Sequence, residues 1–414
     1  MPNSRQDRRT FLRTLAGSAL AGCSHLGARP GGRAGAAGAV ASNQAAPAAM
    51  RYRRLGRTGL QVSEISLGSS PLPDETLVRT LIDRGVNYID TSHNYENGNC
   101  ERKIGRLAKE VGKDKLFVGT KFHVGPRDTK ASIMASVHGS LKRLATGTID
   151  VLLIHGAESP EVLVDERVLG AYEDLKKEGA YRFRGLSCHA NHGPVIRKAV
   201  ECGHYDMVQL GYNVFDIQET EAAAKVEIYP DYLGASGIRG LIELAHSRDV
   251  GVLAMKTLKV GGRRQDLENY RTGTTTLFQA MLKWVLADER VASALTEILS
   301  HREMEEDLGA VGAPLTAAEM RTLERYVAAN GRDYCHGCGT CRRACPSGVD
   351  TTAILHALAY HESYGKTGRA RAAYAALEGT AKAAGCRDCG ACEAACPYGV
   401  GVRARIRDAD RLLA

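Results

Sequence analysis

From Met50 the chain alternates short β-rich runs with longer stretches whose apolar residues recur at helical spacing. The strand-like runs are "VSEISLG", "VNYIDTS", "LFVGTKF", "IDVLLIHG", "FRGLSCH", "YDMVQLGYN", "VGVLAMKT" and "RVASALTEI". Amphipathic segments such as "DETLVRTLIDRG", "DTKASIMASVHGSLKRL" and "TTLFQAMLKWVLAD" lie between them. Eight strand–helix units over roughly 260 residues predict an α/β fold, a TIM (β/α)8 barrel, here over residues 50–313. After the sixth run, "VFDIQETEAAAKVEIYPDYLGAS" is long enough to wall a substrate site. Trp284 and Phe278 fall on the core stripe of a helix.

A second, mostly helical pattern covers residues 314–414. "TAAEMRTLERYVAANG" opens with a capping box, Thr316 to Glu319, and stops at Gly331, which predicts one helix. It runs into two cysteine groups. Cys335, Cys338, Cys341 and Cys345 are spaced C-x2-C-x2-C-x3-C before Pro346, and Cys386, Cys389, Cys392 and Cys396 repeat that spacing before Pro397. Three thiolates two residues apart can wrap one corner of an iron–sulfur cubane, while the fourth points to the other cluster. The expected sets are therefore Cys335, Cys338, Cys341 with Cys396, and Cys386, Cys389, Cys392 with Cys345, each on a [4Fe–4S] cluster. Structural zinc prefers two pairs of ligands and does not call for this repeat. The helical stretch between the groups resembles the α-helical two-cluster ferredoxin domain. The other cysteines are scattered; Cys188 and Cys202 read as small buried residues, and Cys100 as a serine replacement near the barrel mouth.

Composition changes this picture only at the amino end. Of the formal charge of +8, residues 1–50 contribute six Arg against one Asp, and the remainder is nearly balanced at 49 basic and 46 acidic residues. With one Trp and no basic–aromatic face, nucleic acid is excluded as a partner. "DRRTFLRTLAGSALAGC" (residues 1–23 in all) carries paired arginines before a run too short to span a bilayer. It resembles a twin-arginine export signal, an address read on folded proteins. "LAGC" also resembles a lipobox, making Cys23 a candidate lipid anchor. Residues 24–49 are rich in Gly, Ala and Pro and read as a tether. The expected location is periplasmic or on the outer side of the cytoplasmic membrane, with membrane contact only through the signal or lipid.

Barrel chemistry is placed at the carboxyl ends of strands. Those ends carry Asp90, Lys121 and His155, and Tyr95 follows on the loop after Asp90. An ammonium held by a carboxylate would lower a tyrosine's pKa and poise it for proton transfer, while a histidine orients a carbonyl. "RRLGRTGLQVSEISLG", "YIDTSHNYENGNCERKIG", "GTKFH", "LLIHG" and "VQLGYNVFD" resemble successive signatures of the aldo–keto reductase family.

That resemblance implies a catalytic tetrad of Asp90, Tyr95, Lys121 and His155, and an NADP or NAD cofactor across the barrel mouth. It assigns nicotinamide contacts to Ser187, His189 and Gln209, with Tyr212 stacked on the ring. Phosphates would approach Lys256, Leu258, Gly261 and Gly262. A C-terminal two-cluster domain also recurs in a subgroup of the family. The chain departs from the family at the adenosine end: Glu297 stands where a glycine is expected, Arg302 is the basic residue left for a 2′-phosphate, and Glu306 and Asp307 are left for adenine. NADP and NAD both stay open.

Two functions follow. One is an oxidoreductase moving hydride between NAD(P)(H) and a small carbonyl or alcohol, with electrons passing through the clusters, to a redox partner protein where one is used. The other is an exported electron-transfer protein whose barrel docks or senses. A permanently held nicotinamide is a variant of the first. The substrate loops carry no readable signature.

Overall fold

The computed structural model describes residues 49–112, 115–218, 237–259, 267–363 and 365–414. The leader with Cys23, the glycine pair Gly261 and Gly262, and most of the long loop after the sixth run lie outside them. Among the described residues no helix is long and apolar enough to cross a membrane.

The chain begins with an antiparallel hairpin, β1 (Tyr52–Arg54) and β2 (Gln61–Ser63). Eight parallel strands then close into a barrel: β3 (Ile65–Gly68), β4 (Tyr88–Asp90), β5 (Phe117–Phe122), β6 (Ile149–Ile154), β7 (Tyr181–Cys188), β8 (Met207–Gly211), β9 (Gly251–Met255) and β10 (Ser293–Thr296). Every run expected to be a strand holds one of them; β7 starts two residues early. The hairpin, which the strand pattern did not separate, plugs the amino end. Its Leu55, Leu60 and Val62 bury against Tyr88, Val151, Leu153, Met207 and Leu253 inside the barrel. The closing seam carries polar pairs. Buried Glu64 takes Arg53 Nε at 2.9 Å and the Gly312 amide at 3.2 Å, and Ser66 Oγ lies 2.5 Å from Ser293 Oγ across β3 and β10.

Nine helices of the described residues surround or brace the barrel: α1 (Glu75–Asp83), α2 (Asn99–Val111), α3 (Lys130–Leu144), α4 (Glu166–Lys177), α5 (His192–Glu201), α6 (Gly237–Ser247), α7 (Leu277–Leu286), α8 (His301–Leu308) and α9 (Ala317–Asn330). Local sequence sets their starts: Asp74 caps α1, and Thr129, Thr276 and Thr316 form capping boxes at α3, α7 and α9. Trp284 is buried in the core and Phe278 packs partly against it. The sequence reading grouped α9 with the cysteine region. Its Leu323, Tyr326 and Val327 instead join the barrel core, and Lys283 bonds Glu319 at 2.7 Å.

The cysteine region has its own core. Helices α10 (Thr340–Arg343), α11 (Thr351–Glu362), α12 (Thr367–Ala375), α13 (Ala391–Ala394) and α14 (Val402–Leu413) bury Ile354, Leu358, Ala370, Tyr374 and Ile406 together with Cys341 and Cys392. It sits on the carboxyl end of the barrel.

Helices α2 and α3 meet at Gly105, where an added Cβ would lie 2.3 Å from the Leu144 carbonyl oxygen. Backbone cannot yield cheaply there. Gly105→Ala is expected to destabilise the protein by about 1–3 kcal/mol, read as a lower urea midpoint at unchanged slope.

Candidate active site and cysteine sites

Strands β4, β5 and β6 bring Asp90, Lys121 and His155 to one end of the barrel, and the short helical turn after β4 adds Tyr95. The Lys121 ammonium is buried. It bonds Asp90 Oδ2 at 2.5 Å and the Thr91 carbonyl at 2.8 Å. Its Nζ stands 5.5 Å from the Tyr95 ring centre, and that ring meets His155 edge-on at 5.7 Å. All four expected residues converge.

Their electrostatics differ in one respect from the sequence expectation. Burial pushes the Tyr95 phenol well above its ordinary pKa, and Asp90 adds to this. Lys121 does not pull it down, because its charge is already matched by Asp90 and the Thr91 carbonyl. The opposing cation is Arg369, which reaches the site from the cysteine domain. His155 is held neutral: burial first, then Lys121 and His123, lower it to about 2. Its Nδ1 lies 3.0 Å from Ser92 Oγ, which also bonds Asn94 Oδ1 at 2.9 Å. The hydroxyl has one proton and donates it to Asn94 Oδ1, so it accepts from His155 Nδ1–H. The neutral ring keeps a bare Nε2 that can accept a hydrogen bond.

Sequence reasoning missed the histidines around this centre. His123 stacks on His155 at 4.3 Å, and His93 Nδ1 lies 2.9 Å from the Lys121 carbonyl. Both stand in the quoted motifs, "DTSHNY" and "GTKFH", but only the barrel's closure shows that they share a face.

The residues assigned to a dinucleotide come together in part. Ser187 and Gln209 pair across β7 and β8. His189 and Lys256 line a small void with Asp216 and Lys259 of the barrel and Cys335, His336 and His356 of the cysteine domain. Ser187 is buried; its Oγ accepts the Gly156 amide at 3.0 Å and its hydroxyl donates to the Ile154 carbonyl at 3.4 Å. Leu258 packs against the barrel core. Tyr212 corrects an expectation: its ring lies 4.8 Å from Trp284, with Arg239 Nε on its hydroxyl at 3.3 Å, so it faces the helix layer and cannot stack at the mouth. Along α8, Arg302 is exposed, Asp307 is buried, and Glu306 takes the Thr276 hydroxyl at 2.6 Å. Glu297 is held by Lys366 of the cysteine domain at 2.7 Å. One observation favours the nicotinamide itself, since buried Gln209 Oε1 has no hydrogen-bond partner among the described residues. The tail has no such support: the cysteine domain lies along its path. The described residues do not fit a dinucleotide across the mouth.

The cysteines do form two sites. Cys345, Cys386, Cys389 and Cys392 line one small void. Burial raises the Cys396 thiol, and Cys338 and Cys341 raise it further, which places these sulfurs together; Cys338 and Cys341 act likewise on Cys335. Thr351 Oγ1 donates to Cys341 Sγ at 3.0 Å and the Asp388 amide to Cys386 Sγ at 3.4 Å. Among the described residues no three His, Cys, Asp or Glu side chains converge on a single ion. Thiolates spread around a void suit a multi-atom cluster instead.

Comparisons with known proteins agree with this division. Residues 69–272 match the aldo/keto reductase family and residues 324–400 match the 4Fe-4S dicluster domain. The barrel segment thus resembles the aldo/keto reductase family of oxidoreductases, and the segment that follows resembles a 4Fe-4S dicluster domain. The oxidoreductase YqkF of Bacillus subtilis, described as uncharacterized, is 27% identical over 300 residues, 67% of this chain and 96% of its own. L-galactose dehydrogenase of Arabidopsis thaliana is 26% identical over 290 residues, 63% of this chain and 88% of its own. Among solved structures, the holo form of aldo-keto reductase AKR11C1 from Bacillus halodurans matches at a TM-score of 0.52 and 25% identity, over 67% of this chain and 96% of its own.

The buried histidines make the fold acid-sensitive. His155 and His192 are lowered to about 2 and about 3, and His189 well below its ordinary value, in each case chiefly by burial. Between these values and the ordinary value of 6.5 the unfolded chain binds protons that the folded one does not. Stability is therefore expected to be level above about pH 7 and to fall as pH drops below about 6.5, by up to about 1.4 kcal/mol per pH unit for each histidine. Melting temperatures measured from pH 8 to pH 5 check this; a flat profile contradicts it.

Proposed function

We propose that the protein is an oxidoreductase interconverting a small carbonyl compound and its alcohol, with two [4Fe–4S] clusters carrying the electrons. The observation that carries this reading is the convergence of Tyr95, His155 and the buried Lys121–Asp90 pair at one barrel end beneath the cysteine domain. A carbonyl becomes an alcohol by gaining two electrons and two protons, one proton going to oxygen from Tyr95 and one to carbon from solvent. Each cluster carries one electron, so the pair matches one turnover, and a one-electron redox protein would load or unload them.

The residues divide the remaining work. Tyr95, kept protonated by its burial, gives a proton to the oxygen as negative charge develops there, and takes it back in the reverse direction. Neutral His155, its ring fixed by Nδ1–H on Ser92, accepts the alcohol's hydroxyl at Nε2 and so orients that oxygen. Asp90 holds the Lys121 ammonium beside the ring, and Arg369 is the cation that eases transient phenolate. Hydride transfer from NAD(P)(H), implied by the family resemblance, is not routed through this site because the described residues do not form its groove. Cys335, Cys338, Cys341 and Cys396 would hold one cluster, and Cys345, Cys386, Cys389 and Cys392 the other. Export by the twin-arginine route, after the clusters are built, belongs to the same proposal.

Tyr95→Phe tests the acid. The rate at which aldehydes and ketones reoxidise dithionite-reduced protein is expected to fall about 10²- to 10⁴-fold with cluster content unchanged. An unchanged rate would overturn the assignment of Tyr95, and a parent protein that carbonyls do not reoxidise would favour a barrel that docks or senses without turnover.

The interleaved ligand sets have a separate signature. Cys345→Ala is expected to lose the cluster of Cys386, Cys389 and Cys392 while the cluster nearest Cys345 in sequence survives. Iron content and electron paramagnetic resonance of the reduced protein read this directly; loss of the Cys335, Cys338 and Cys341 cluster would reverse the assignment.

A further inference from the structure

We propose that the first iron–sulfur cluster has taken the dinucleotide's place at the barrel mouth, with Lys256 and Lys259 serving the cluster's charge rather than a nucleotide's phosphates. This rests on the two-cluster reading above but not on any turnover.

Three stretches of the mouth carry it. At the ends of β10 and β3, where an adenosine end would lie, Lys366 bonds Glu297 at 2.7 Å and donates to the Ser70 carbonyl. A carboxylate occupied by a lysine from the other domain offers nothing to a phosphate. At the end of β9, Lys259 is buried and its ammonium stands 4.4 Å over the ring of Tyr334, the residue before Cys335. Lys256 and Cys335 line the same void as Lys259. Lys256 has φ of 58°, a left-handed backbone rare outside glycine, so this lysine is held there against a local cost. At the ends of β7 and β8 the approach is backbone to backbone. The Asn191 amide donates to the Gly337 carbonyl at 3.3 Å, and Asn213 Nδ2 bonds the Tyr334 hydroxyl at 2.8 Å. Gly337 has φ of 72°, and a Cβ on it would stand 3.4 Å from the His189 carbonyl. The first cysteine motif is therefore fitted to the barrel residue by residue.

What is left between the domains is a void of about 20 Å³, room for about one water. That is far short of two nucleosides joined by a pyrophosphate. On the barrel side the lining sets Lys256 and Lys259 against one carboxylate, Asp216. Four thiolates around a cubane make a net anion, and a nearby cation favours its more negative, reduced form. Lys256 and Lys259 thus have a partner of the right sign within the protein. His336 lies between Cys335 and Cys338 in sequence and stacks on Tyr398 at 3.6 Å, two residues after Cys396. Both flank the ligand set that faces the void.

The test uses the full-length holoprotein without carbonyl substrate. Anaerobic equilibrium dialysis with NADPH, NADP, NADH and NAD is expected to show no binding at 1 mM, a concentration at which even a weak site of about millimolar Kd would be half filled. Redox titration followed by electron paramagnetic resonance is expected to show two midpoints in the parent. Lys259→Gln should move one of them to more negative potential and leave the other in place, and Lys259→Arg, which keeps the charge, should restore it. Stoichiometric binding of any of the four nucleotides overturns the proposal. So does a Lys259→Gln protein whose two midpoints are both unchanged or both shifted alike. Because neither readout involves turnover, inactivity toward carbonyls would count against the proposed function and leave this inference standing.

Discussion

A cation taken out of water needs an anion or strong dipole beside it, and the carboxyl end of this barrel carries several lysines that meet that need differently. Lys121 is matched inside the barrel by Asp90 and the Thr91 carbonyl. Lys366 comes from the cysteine domain and is matched by Glu297 of the barrel. Lys259 faces the Tyr334 ring and shares a void with Asp216 and Cys335. The first pair fixes the acid–base centre, the second clamps the two domains, and the third points at the metal-binding motif. Charge matching thus places catalysis, domain contact and electron carrier on one face.

The parts legible in the sequence are those with a local period. The eight strands were readable because a buried parallel strand is a short apolar run between helices, and the capping boxes at Thr129, Thr276 and Thr316 mark helix starts without outside help. The cysteine groups were readable for the same reason, since their spacing is itself the ligand geometry. Asp90, Lys121 and His155 could be placed because each follows its strand directly. What could not be read depends on distant partners. Arg369 acts on Tyr95 across some 270 positions of chain, and nothing local to "GRARAAY" marks it as a mouth residue. Tyr212 was given a role by position in a motif, but its ring turns to Trp284 because that helix offers an aromatic surface and Arg239 a donor. Glu297 read as a defect in a nucleotide site. Its partner Lys366 shows it to be a docking residue.

The two cysteine sets differ in exposure as well as in ligands. Cys389, of the second set, is exposed, while Cys335 and Cys341 of the first lie against the barrel or in the core of the cysteine domain. On the proposed two-cluster reading, a one-electron partner would meet the second set from solvent, and an electron entering there would pass the clusters in the reverse of their order along the chain. The crossing of Cys345 and Cys396 between motifs ties the clusters together, so that neither motif can be held by its own cysteines alone.

The leader and the covered mouth bear on the same question from opposite ends of the chain. If the paired Arg8 and Arg9 send a folded protein across the membrane, its clusters must be assembled beforehand, because they cannot be inserted into a site already closed against the barrel. A reductase working outside the cytoplasm would also lack a pool of soluble nicotinamide to draw on. A barrel whose cofactor face is sealed by its own electron carrier needs no such pool. The clamp of Lys366 on Glu297 and the fit of Gly337 against His189 are then what make the exported form self-sufficient: electrons arrive by protein contact at the exposed second set, and the proton chemistry at Tyr95 proceeds beneath the domain that delivers them.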